Sequence, residues 1–195
     1  MRLDYTFDLN FNEPQAYYVK DQAFNREELK KIYNDLTQVP FQRANTVGSS
    51  SDEIRSSRVK WIPQNSDWWW LYEKMAVLAT EANNEFWKFN LTKLPEQIQY
   101  TEYLATDKGH YTWHQDIGPG MLSVRKVSVT IQLSHPDDYE GGDLQIDQGA
   151  NHPINCSRGE GTAVLFPSYM MHRVTPVTRG IRRSFVLWLG GGHYK

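Results

Sequence analysis

The sequence predicts a mainly β protein of the α+β kind, in which a jelly roll is covered by two N-terminal amphipathic helices. Apolar residues repeat at helical spacing in two segments before residue 90. From residue 97 onward, short runs alternate between apolar and polar residues, and turn signals separate these runs. Short strands of this kind favour a sandwich or jelly roll, and the apolar faces of two helices can cover one sheet.

Composition limits the possible classes of protein. A length of 195 residues suits one domain, so we predict a single domain over residues 1–195. The net charge of -2 provides no basic surplus for a phosphate backbone or an anionic membrane, so neither nucleic acid nor membrane is expected as a partner. The first fourteen residues include polar and acidic groups where a secretory signal needs an apolar run, so we expect a cytoplasmic location.

The single cysteine is expected to have no catalytic role. Cys156 has no second cysteine with which to form an internal disulfide. The surrounding sequence INCSRGE supplies no base to activate the thiol, so an inert or exposed thiol is favoured over a nucleophile.

Two helices are predicted before the strands. Asn25 and Glu28 have the spacing of a capping box at the start of the first helix, which should end before Pro40. Ser66 or Asp67 is expected to cap the second helix. The apolar faces consist of Leu29, Ile32, Tyr33 and Leu36 in the first helix, and of Leu71, Met75, Leu78, Ala82 and Phe86, through Trp87, in the second.

A polar segment rich in serine lies between the helices. Residues 43–60 read RANTVGSSSDEIRSSRVK, which is typical of a loop. A plain surface loop and a lid over an active site both remain open for this segment.

Seven or eight strands are predicted after the helices, and bounds can be given for seven of them. Turn signals such as GPG at 118–120, HPDDYEGGD at 135–143 and TRG at 178–180 separate them. The predicted bounds are 97–104, 111–115, 126–133, 143–147, 162–166, 172–174 and 182–189.

A candidate metal site lies in the sequence YTWHQDIG. His114 and Asp116 are two residues apart, so on a strand both side chains point to the same face. A facial iron site also needs a second imidazole, and it leaves three coordination positions open for substrate and oxygen. His172, in FPSYMMHRVTP, is the best-placed candidate. We therefore predict that His114, Asp116 and His172 bind one ion.

The last predicted strand contains two adjacent arginines. Alternation places Arg182 and Trp188 on one face, and Arg183 with a mostly apolar set on the other. Because the apolar face should meet the helices, Arg182 rather than Arg183 should point into the barrel. A planar guanidinium there could hold a carboxylate through two parallel hydrogen bonds.

These motifs resemble those of the iron(II)/2-oxoglutarate dioxygenase superfamily, specifically its prolyl 4-hydroxylase-like branch and the PKHD-type hydroxylases. The resemblance covers nearly the whole chain, including RSSRVKWI and WWWLYEKMAVLATEANNEFWKFNL. Its most specific parts are YTWHQD, QLSHPDDYEGGDLQI and HRVTPVTRGIRRSFVLWL. It implies that the jelly roll is a double-stranded β-helix.

The resemblance also implies the cofactors. These are Fe(II), held by the three predicted ligands, and the cosubstrates 2-oxoglutarate and O2, with ascorbate as a candidate further cofactor. Arg182 would anchor the C5 carboxylate of 2-oxoglutarate, and Tyr103 is similar to a tyrosine of the family's cofactor site. Gln132 stands where many prolyl hydroxylases have a tyrosine that helps to hold this carboxylate, and an amide can donate the same hydrogen bond.

The resemblance further implies hydroxylation of an unactivated C–H bond, with succinate and CO2 as products. Tyr111, Arg125 and Trp188 are similar to substrate-side residues of prolyl hydroxylases, which favours a prolyl residue of a peptide or protein as substrate. Ordinary packing is the alternative role for these three side chains. A free amino acid or another small molecule is the alternative substrate, and a closed pocket would favour it over a peptide.

Three other classes fit the sequence less well. A non-catalytic jelly roll has no need of two histidines, an aspartate and a buried arginine together. A nucleobase demethylase similar to AlkB would have a second arginine where Trp188 stands. A halogenase would need the coordination position that Asp116 fills.

Overall fold

The computed structural model describes residues 15–43, 53–149 and 153–194. The helices of these residues are α1 (Arg26–Leu36) and α2 (Trp69–Ala82), and a π-helical turn, Asn83–Trp87, follows α2. The strands are β1 (Tyr18–Lys20), β2 (Gln42–Arg43), β3 (Arg55–Ser56), β4 (Arg58–Ile62), β5 (Leu91–Lys93), β6 (Ile98–Leu104), β7 (His110–His114), β8 (Arg125–Gln132), β9 (Tyr139–Gly141), β10 (Leu144–Asp147), β11 (Pro153–Asn155), β12 (Ala163–Pro167), β13 (His172–Val174) and β14 (Val177–Gly191).

The strands form two antiparallel sheets in a jelly-roll arrangement. The larger sheet has the order β1-β12-β8-β14-β6-β4-β2, and β5 and β9 also pair with β14. The smaller sheet has the order β11-β10-β13-β7-β3. Side chains from both sheets line one cavity of about 640 Å³, so the sheets face each other across it.

The helices cover the outer face of the larger sheet. The main hydrophobic core contains Leu29, Ile32 and Leu36 from α1, Leu71, Met75 and Leu78 from α2, Val127, Val129 and Ile131 from β8, and Phe185, Leu187 and Leu189 from β14. A second cluster lies between the sheets and includes Tyr103, Leu144, Phe166 and Val174. Cys156 is buried in this second cluster, where burial raises the pKa of its thiol to about 12, as an inert thiol requires.

The first helix has the predicted cap, and the second does not. In α1, the Asn25 side chain accepts a hydrogen bond from the Glu28 backbone, and the Glu28 side chain accepts one from the Asn25 backbone. In α2, the prediction of Ser66 or Asp67 as the cap is wrong, because the helix begins at Trp69 with no side-chain cap hydrogen bond.

The prediction of two amphipathic helices is met fully only by α1. In α2, the large apolar side chains of Trp69 and Val77 are exposed, so apolar groups are not confined to its buried face. No helix of the described ranges is both long and apolar enough to cross a membrane.

The seven predicted strands are present, and shorter ones were missed. The bounds agree to within one residue for most strands, but β14 begins five residues before the prediction. The prediction of a loop over 43–60 is wrong for 43, 55–56 and 58–60, which belong to β2, β3 and β4. Residues 44–52, the centre of the predicted lid, lie outside the described residues. The strands that were missed have two to five residues, a length at which alternation is often too weak to be recognised in the sequence.

Candidate metal site and cavity

The three predicted metal ligands converge at the cavity. His114 and His172 are directly opposite each other in the pairing of β7 with β13. Asp116 lies two residues beyond the end of β7, where its backbone N–H donates to the Ser168 carbonyl at 3.0 Å. The Nε2 atoms of His114 and His172 lie 3.8 and 3.6 Å from the Asp116 carboxylate oxygens, and all three ligand atoms lie within 4.8 Å of one another.

Backbone carbonyls fix both imidazole rings. Nδ1 of His114 lies 2.8 Å from the Thr112 carbonyl, and Nδ1 of His172 lies 2.9 Å from the Met170 carbonyl. Because a carbonyl oxygen can only accept, each Nδ1 carries the proton and donates it. Each Nε2 therefore presents a free lone pair towards the carboxylate, as a metal ligand must.

The protonation states of the cluster suit metal binding. Burial, and then the proximity of His172, lowers the pKa of His114 to about 3, so this imidazole is neutral near pH 7. Burial alone would raise the pKa of Asp116, but the two neighbouring rings and a hydrogen bond from Ser128 lower it overall. A neutral imidazole and an ionised carboxylate are the forms that bind metal.

Arg182 provides a buried cation in the same cavity. Its side chain is 1% exposed, and its terminal nitrogens donate to Ser184 Oγ at 3.3 Å and to Gln132 Oε1 at 3.1 Å. Its Nε has no hydrogen-bond partner among the described residues. The guanidinium carbon lies 5.5 Å from the centre of the Tyr103 ring. A buried cation with neutral partners and a free donor is suited to an anionic ligand such as a carboxylate.

The alternation predicted for β14 agrees with the structure. Arg182 and Trp188 line the cavity together with Ser184 and Val186. Arg183 lies on the opposite face and donates to Glu102 at 3.1 Å. The chemistry of the donor set therefore fits both Fe(II), through two imidazoles and one carboxylate, and 2-oxoglutarate, through the buried guanidinium.

The predicted substrate-side residues also line the cavity. The Tyr111 ring stacks on His114 with centroids 3.5 Å apart. The Arg125 guanidinium lies 3.7 Å from the centre of the Trp188 ring, pairs with Glu96, and donates to the Asp116 carbonyl at 3.1 Å. Arg125 is thus held by protein groups, whereas the buried Trp188 Nε1 has no partner among the described residues. Gln132 contacts Arg182 and is not part of the cavity wall.

Several further cavity residues were not predicted, among them Arg55, Trp61, Glu96 and Gln99. Arg55 donates to Ser57 Oγ at 2.8 Å and to Gln99 Oε1 at 2.6 Å, and it lies 4.9 Å from the centre of the Tyr111 ring. Arg55 and Trp61 belong to RSSRVKWI, which contributed to the resemblance. Arg55 lies within the predicted loop 43–60 and Trp61 directly follows it, so neither side chain was assigned to the site.

Fold and site together define a class of protein. A jelly roll that brings two imidazoles and one carboxylate into a cavity, with coordination positions left open, is the arrangement of non-haem Fe(II) oxygenases. A sequence profile described as the 2OG-Fe(II) oxygenase superfamily matches residues 98–190.

Sequence relatives define the family more closely. A PKHD-type hydroxylase of Synechococcus sp. (strain JA-3-3Ab) is 30% identical over 167 residues, which cover 83% of this chain and 72% of the relative. A PKHD-type hydroxylase of Psychrobacter sp. (strain PRwf-1) is 36% identical over 126 residues, which cover 60% of this chain and 48% of the relative. The chain thus spans about half the length of the Psychrobacter protein. It belongs to the PKHD-type hydroxylases of the 2OG-Fe(II) oxygenase superfamily, whose members are oxidoreductases that use Fe(II), 2-oxoglutarate and O2.

Solved structures share the fold. A prolyl hydroxylase of Trichoplax adhaerens, in complex with a peptide fragment of the hypoxia inducible factor oxygen degradation domain, has a TM-score of 0.75 and 20% identity, over 93% of this chain and 85% of that chain. A prolyl-4-hydroxylase of Pseudomonas putida has a TM-score of 0.71 and 19% identity, over 90% of this chain and 93% of that chain.

Proposed function

We propose that this chain is an Fe(II)- and 2-oxoglutarate-dependent hydroxylase that acts on a prolyl residue of a peptide or protein. His114, Asp116 and His172 hold the iron, and Arg182 anchors the C5 carboxylate of 2-oxoglutarate. The observation that carries this proposal is the buried guanidinium of Arg182. It lines the same cavity as His114, Asp116 and His172, and its Nε has no hydrogen-bond partner among the described residues.

Each residue has a separate part in the proposed reaction. When bound, Fe(II) and 2-oxoglutarate supply the oxidising chemistry, which places one oxygen atom of O2 in the substrate C–H bond and the other in succinate, with release of CO2. The imidazoles present Nε2 because their Nδ1 protons are held by carbonyls. Gln132 and Ser184 orient Arg182 by each accepting from one of its terminal nitrogens, and each of these nitrogens has a second N–H for a ligand. Reach and orientation then decide which carbon is hydroxylated.

Aromatic walls support a prolyl substrate. Tyr111, Trp188 and Trp61 line the cavity, so aromatic groups surround the space that a pyrrolidine ring would enter. The Trichoplax and Pseudomonas proteins of the same fold are named as prolyl hydroxylases, and the former was solved with a peptide. An extended segment that contains proline loses little conformational entropy when it binds.

Turnover assays test this proposal. The purified chain is incubated aerobically with Fe(II), 2-oxoglutarate and a library of proline-containing peptides, and succinate and the mass gain of one oxygen atom are measured. Free proline and other free amino acids are tested in parallel. We expect peptide hydroxylation coupled to succinate. Turnover of a free amino acid with unmodified peptides would instead establish the small-molecule alternative.

An Asp116→Ala variant tests the metal ligands within the same assay. Removal of the carboxylate deletes one of the three proposed ligands, so iron-dependent succinate formation should be lost. Asp107→Ala, a change at an exposed carboxylate close in sequence, serves as the matched control and should retain activity. Wild-type succinate production by Asp116→Ala would rule out the proposed triad.

We also propose that residues 1–195 act as a single oxygenase domain in the cytoplasm. Support for one domain comes from the shared core, in which α1 and α2 pack on the sheet that carries Arg182. Limited proteolysis should then give no stable fragment that lacks either the helices or the cavity. The location stays a prediction from the sequence, and fractionation of cells tests it.

A further inference from the structure

Two buried serines, which have no role in the proposed function so far, form a short chain of hydrogen bonds that ends at the Asp116 carboxylate. Ser128 and Ser168 are both fully buried. Ser128 Oγ donates to Asp116 Oδ2 at 2.6 Å, and Ser128 Oγ lies 3.0 Å from Ser168 Oγ. Ser128 belongs to β8 in the larger sheet, and Ser168 lies in the turn between β12 and the His172 strand.

The direction of these hydrogen bonds follows from counting protons. A serine hydroxyl has one proton, and that of Ser128 is used on the Asp116 carboxylate, which can only accept when ionised. Ser128 must therefore accept from Ser168. The Ser168 hydroxyl donates to Ser128, and the Ser128 hydroxyl donates to Asp116. Hydrogen bonds in such a chain polarise one another, and the bond that reaches the carboxylate is strengthened.

Ser168 also holds Asp116 through the backbone. Its carbonyl accepts the N–H groups of Asp116 at 3.0 Å and of Ile117 at 3.1 Å. Both the main chain and the carboxylate of Asp116 are thus fixed with respect to the turn that leads into His172. The guanidinium of Arg125 adds a third restraint, because it donates to the Asp116 carbonyl.

We propose that Ser128, supported by Ser168, is a positioning residue that occupies one carboxylate oxygen of Asp116 and so keeps this side chain a one-oxygen ligand. This inference rests on the proposed iron site. A facial site of two imidazoles and one carboxylate oxygen leaves three open positions, of which 2-oxoglutarate takes two and O2 needs the third. A carboxylate that bound through both oxygens would fill one of these positions.

The neighbouring strand provides a matched control. Ser184 of β14 is as deeply buried as Ser128, but its hydroxyl accepts from Arg182 and belongs to the proposed 2-oxoglutarate site. Ser128→Ala and Ser184→Ala therefore each remove one buried hydroxyl from neighbouring strands, one beside Asp116 and the other beside Arg182. Thermal unfolding of both variants verifies that they are folded.

The experiment measures binding as well as turnover. Co(II) is titrated in the absence of 2-oxoglutarate, and the visible absorption of the Fe(II)–2-oxoglutarate chelate is recorded without O2. We expect Ser128→Ala to weaken Co(II) binding about tenfold, because the carboxylate loses the hydrogen bond that orients it. The absorption of the chelate should be reduced or shifted, because the freed carboxylate oxygen competes with 2-oxoglutarate for a coordination position. Ser184→Ala should leave Co(II) binding unchanged and weaken binding of 2-oxoglutarate.

Ser168→Ala tests the chain of hydrogen bonds. Because Ser168 acts on the carboxylate through Ser128, its removal should weaken Co(II) binding in the same direction but less, by about threefold or below. The double variant should match Ser128→Ala, because the support of Ser168 has no effect once Ser128 is gone. Additive effects of the two substitutions would contradict the proposed chain.

The outcomes separate this inference from the proposed function. Wild-type protein that binds neither Co(II) nor Fe(II) would overturn both. Wild-type protein that binds metal normally, together with Ser128→Ala protein of unchanged affinity and unchanged spectrum, would overturn the positioning role alone and leave the iron site intact.

Discussion

Arg182 and Arg183 are adjacent in the sequence, and strand alternation gives them different environments. Arg182 is buried at the cavity and donates to two neutral side chains. Arg183 lies on the helix side of the sheet and donates to the Glu102 carboxylate. The two positions therefore allow a comparison of ligand binding with stability within one strand.

Arg182→Ala should raise the 2-oxoglutarate concentration needed for half-maximal activity by tens- to a hundredfold. A charge-assisted contact contributes about 2 to 3 kcal/mol, which corresponds to that factor in affinity. Arg183→Ala should leave this requirement unchanged and lower the melting temperature instead. The measurement is succinate formation at varied 2-oxoglutarate for both variants. Equal shifts in the two variants would show that Arg182 does not hold the cosubstrate.

At the residue scale, the sequence was informative where spacing alone decides direction. Arg182 could be placed because alternate residues of a strand share a face. His114 and Asp116 were also expected together, and they do converge, although Asp116 lies two residues beyond the end of β7. Ser128 and Glu96 could not be placed, because their roles depend on contacts with residues distant in the chain. A serine in the run RKVSVTIQ has no feature that distinguishes it from an ordinary strand serine.

At the scale of elements, the first helix depends on its cap. Asn25→Ala removes the side-chain half of the capping box and should lower the free energy of unfolding by about 1 kcal/mol. For a chain of this length, that change corresponds to a fall in melting temperature of roughly 3 °C. Asn25→Asp retains an acceptor oxygen and should stay close to wild type. Equal melting temperatures for the alanine and wild-type proteins would show that the cap contributes nothing.

Three strands meet at one buried carboxylate. Glu102 of β6 accepts hydrogen bonds from Arg58 of β4 at 2.7 Å and from Arg183 of β14 at 3.1 Å. The Tyr100 hydroxyl donates to the same side chain at 2.6 Å. Burial alone would raise the pKa of Glu102, but the hydrogen bonds from Tyr100 and Arg58 lower it overall.

Glu102→Gln should lower the free energy of unfolding by about 2 kcal/mol at neutral pH, because charged hydrogen bonds are replaced by neutral ones. The pKa of this carboxyl is lower in the folded protein, so its contribution is complete above the unfolded value, roughly 4, and is lost as pH falls through the folded value. Urea unfolding at pH 7, 5 and below 4 measures this difference.

A surface pair provides the control for that measurement. Glu140 pairs with Arg179, and both side chains are more than half exposed. Glu140→Gln should therefore have little effect on unfolding at any pH. A Glu102→Gln penalty that persists undiminished below pH 4 would contradict the assignment of the lowered pKa to this cluster.

The elements that the sequence did not reveal are short. Alternation over eight residues of β8 is visible in the sequence, whereas β3 has two residues and takes its conformation from pairing with β7. The missing cap of α2 has a similar cause. The tryptophans at 68 to 70 determine where the helix begins, since Trp68 is buried in the core, and this packing outweighs the cap preference of Ser66 and Asp67.

At the scale of the whole molecule, the proposed ligands join the two sheets. His114 and His172 lie in the smaller sheet, and Arg182 lies in the larger one. Metal and 2-oxoglutarate bound together would connect the sheets across the cavity. Ligands that bind only the folded protein stabilise it, by about 2.7 kcal/mol at a hundred times the dissociation constant.

Mn(II) with 2-oxoglutarate should therefore raise the melting temperature of the wild-type chain by several degrees. Mn(II) replaces Fe(II) here because it resists oxidation in air. The rise should be absent in Asp116→Ala, and glutarate, which lacks the keto oxygen, should give less of it than 2-oxoglutarate. If the melting temperature of Asp116→Ala rose as much as that of the wild-type chain, the ligands would bind at another site.

The direct opposition of His114 and His172 in the β7–β13 pair has a consequence for how this chain can vary in length. The separation of the two imidazoles is set by the backbone ladder and not by the lengths of the connections. An insertion or deletion in the segment 118–124, which follows Asp116, need not move either ring. Deletion of one residue within β7 before His114 would turn the imidazole to the other face. Variation in length should therefore accumulate in connections, and the metal-binding strands should tolerate almost none.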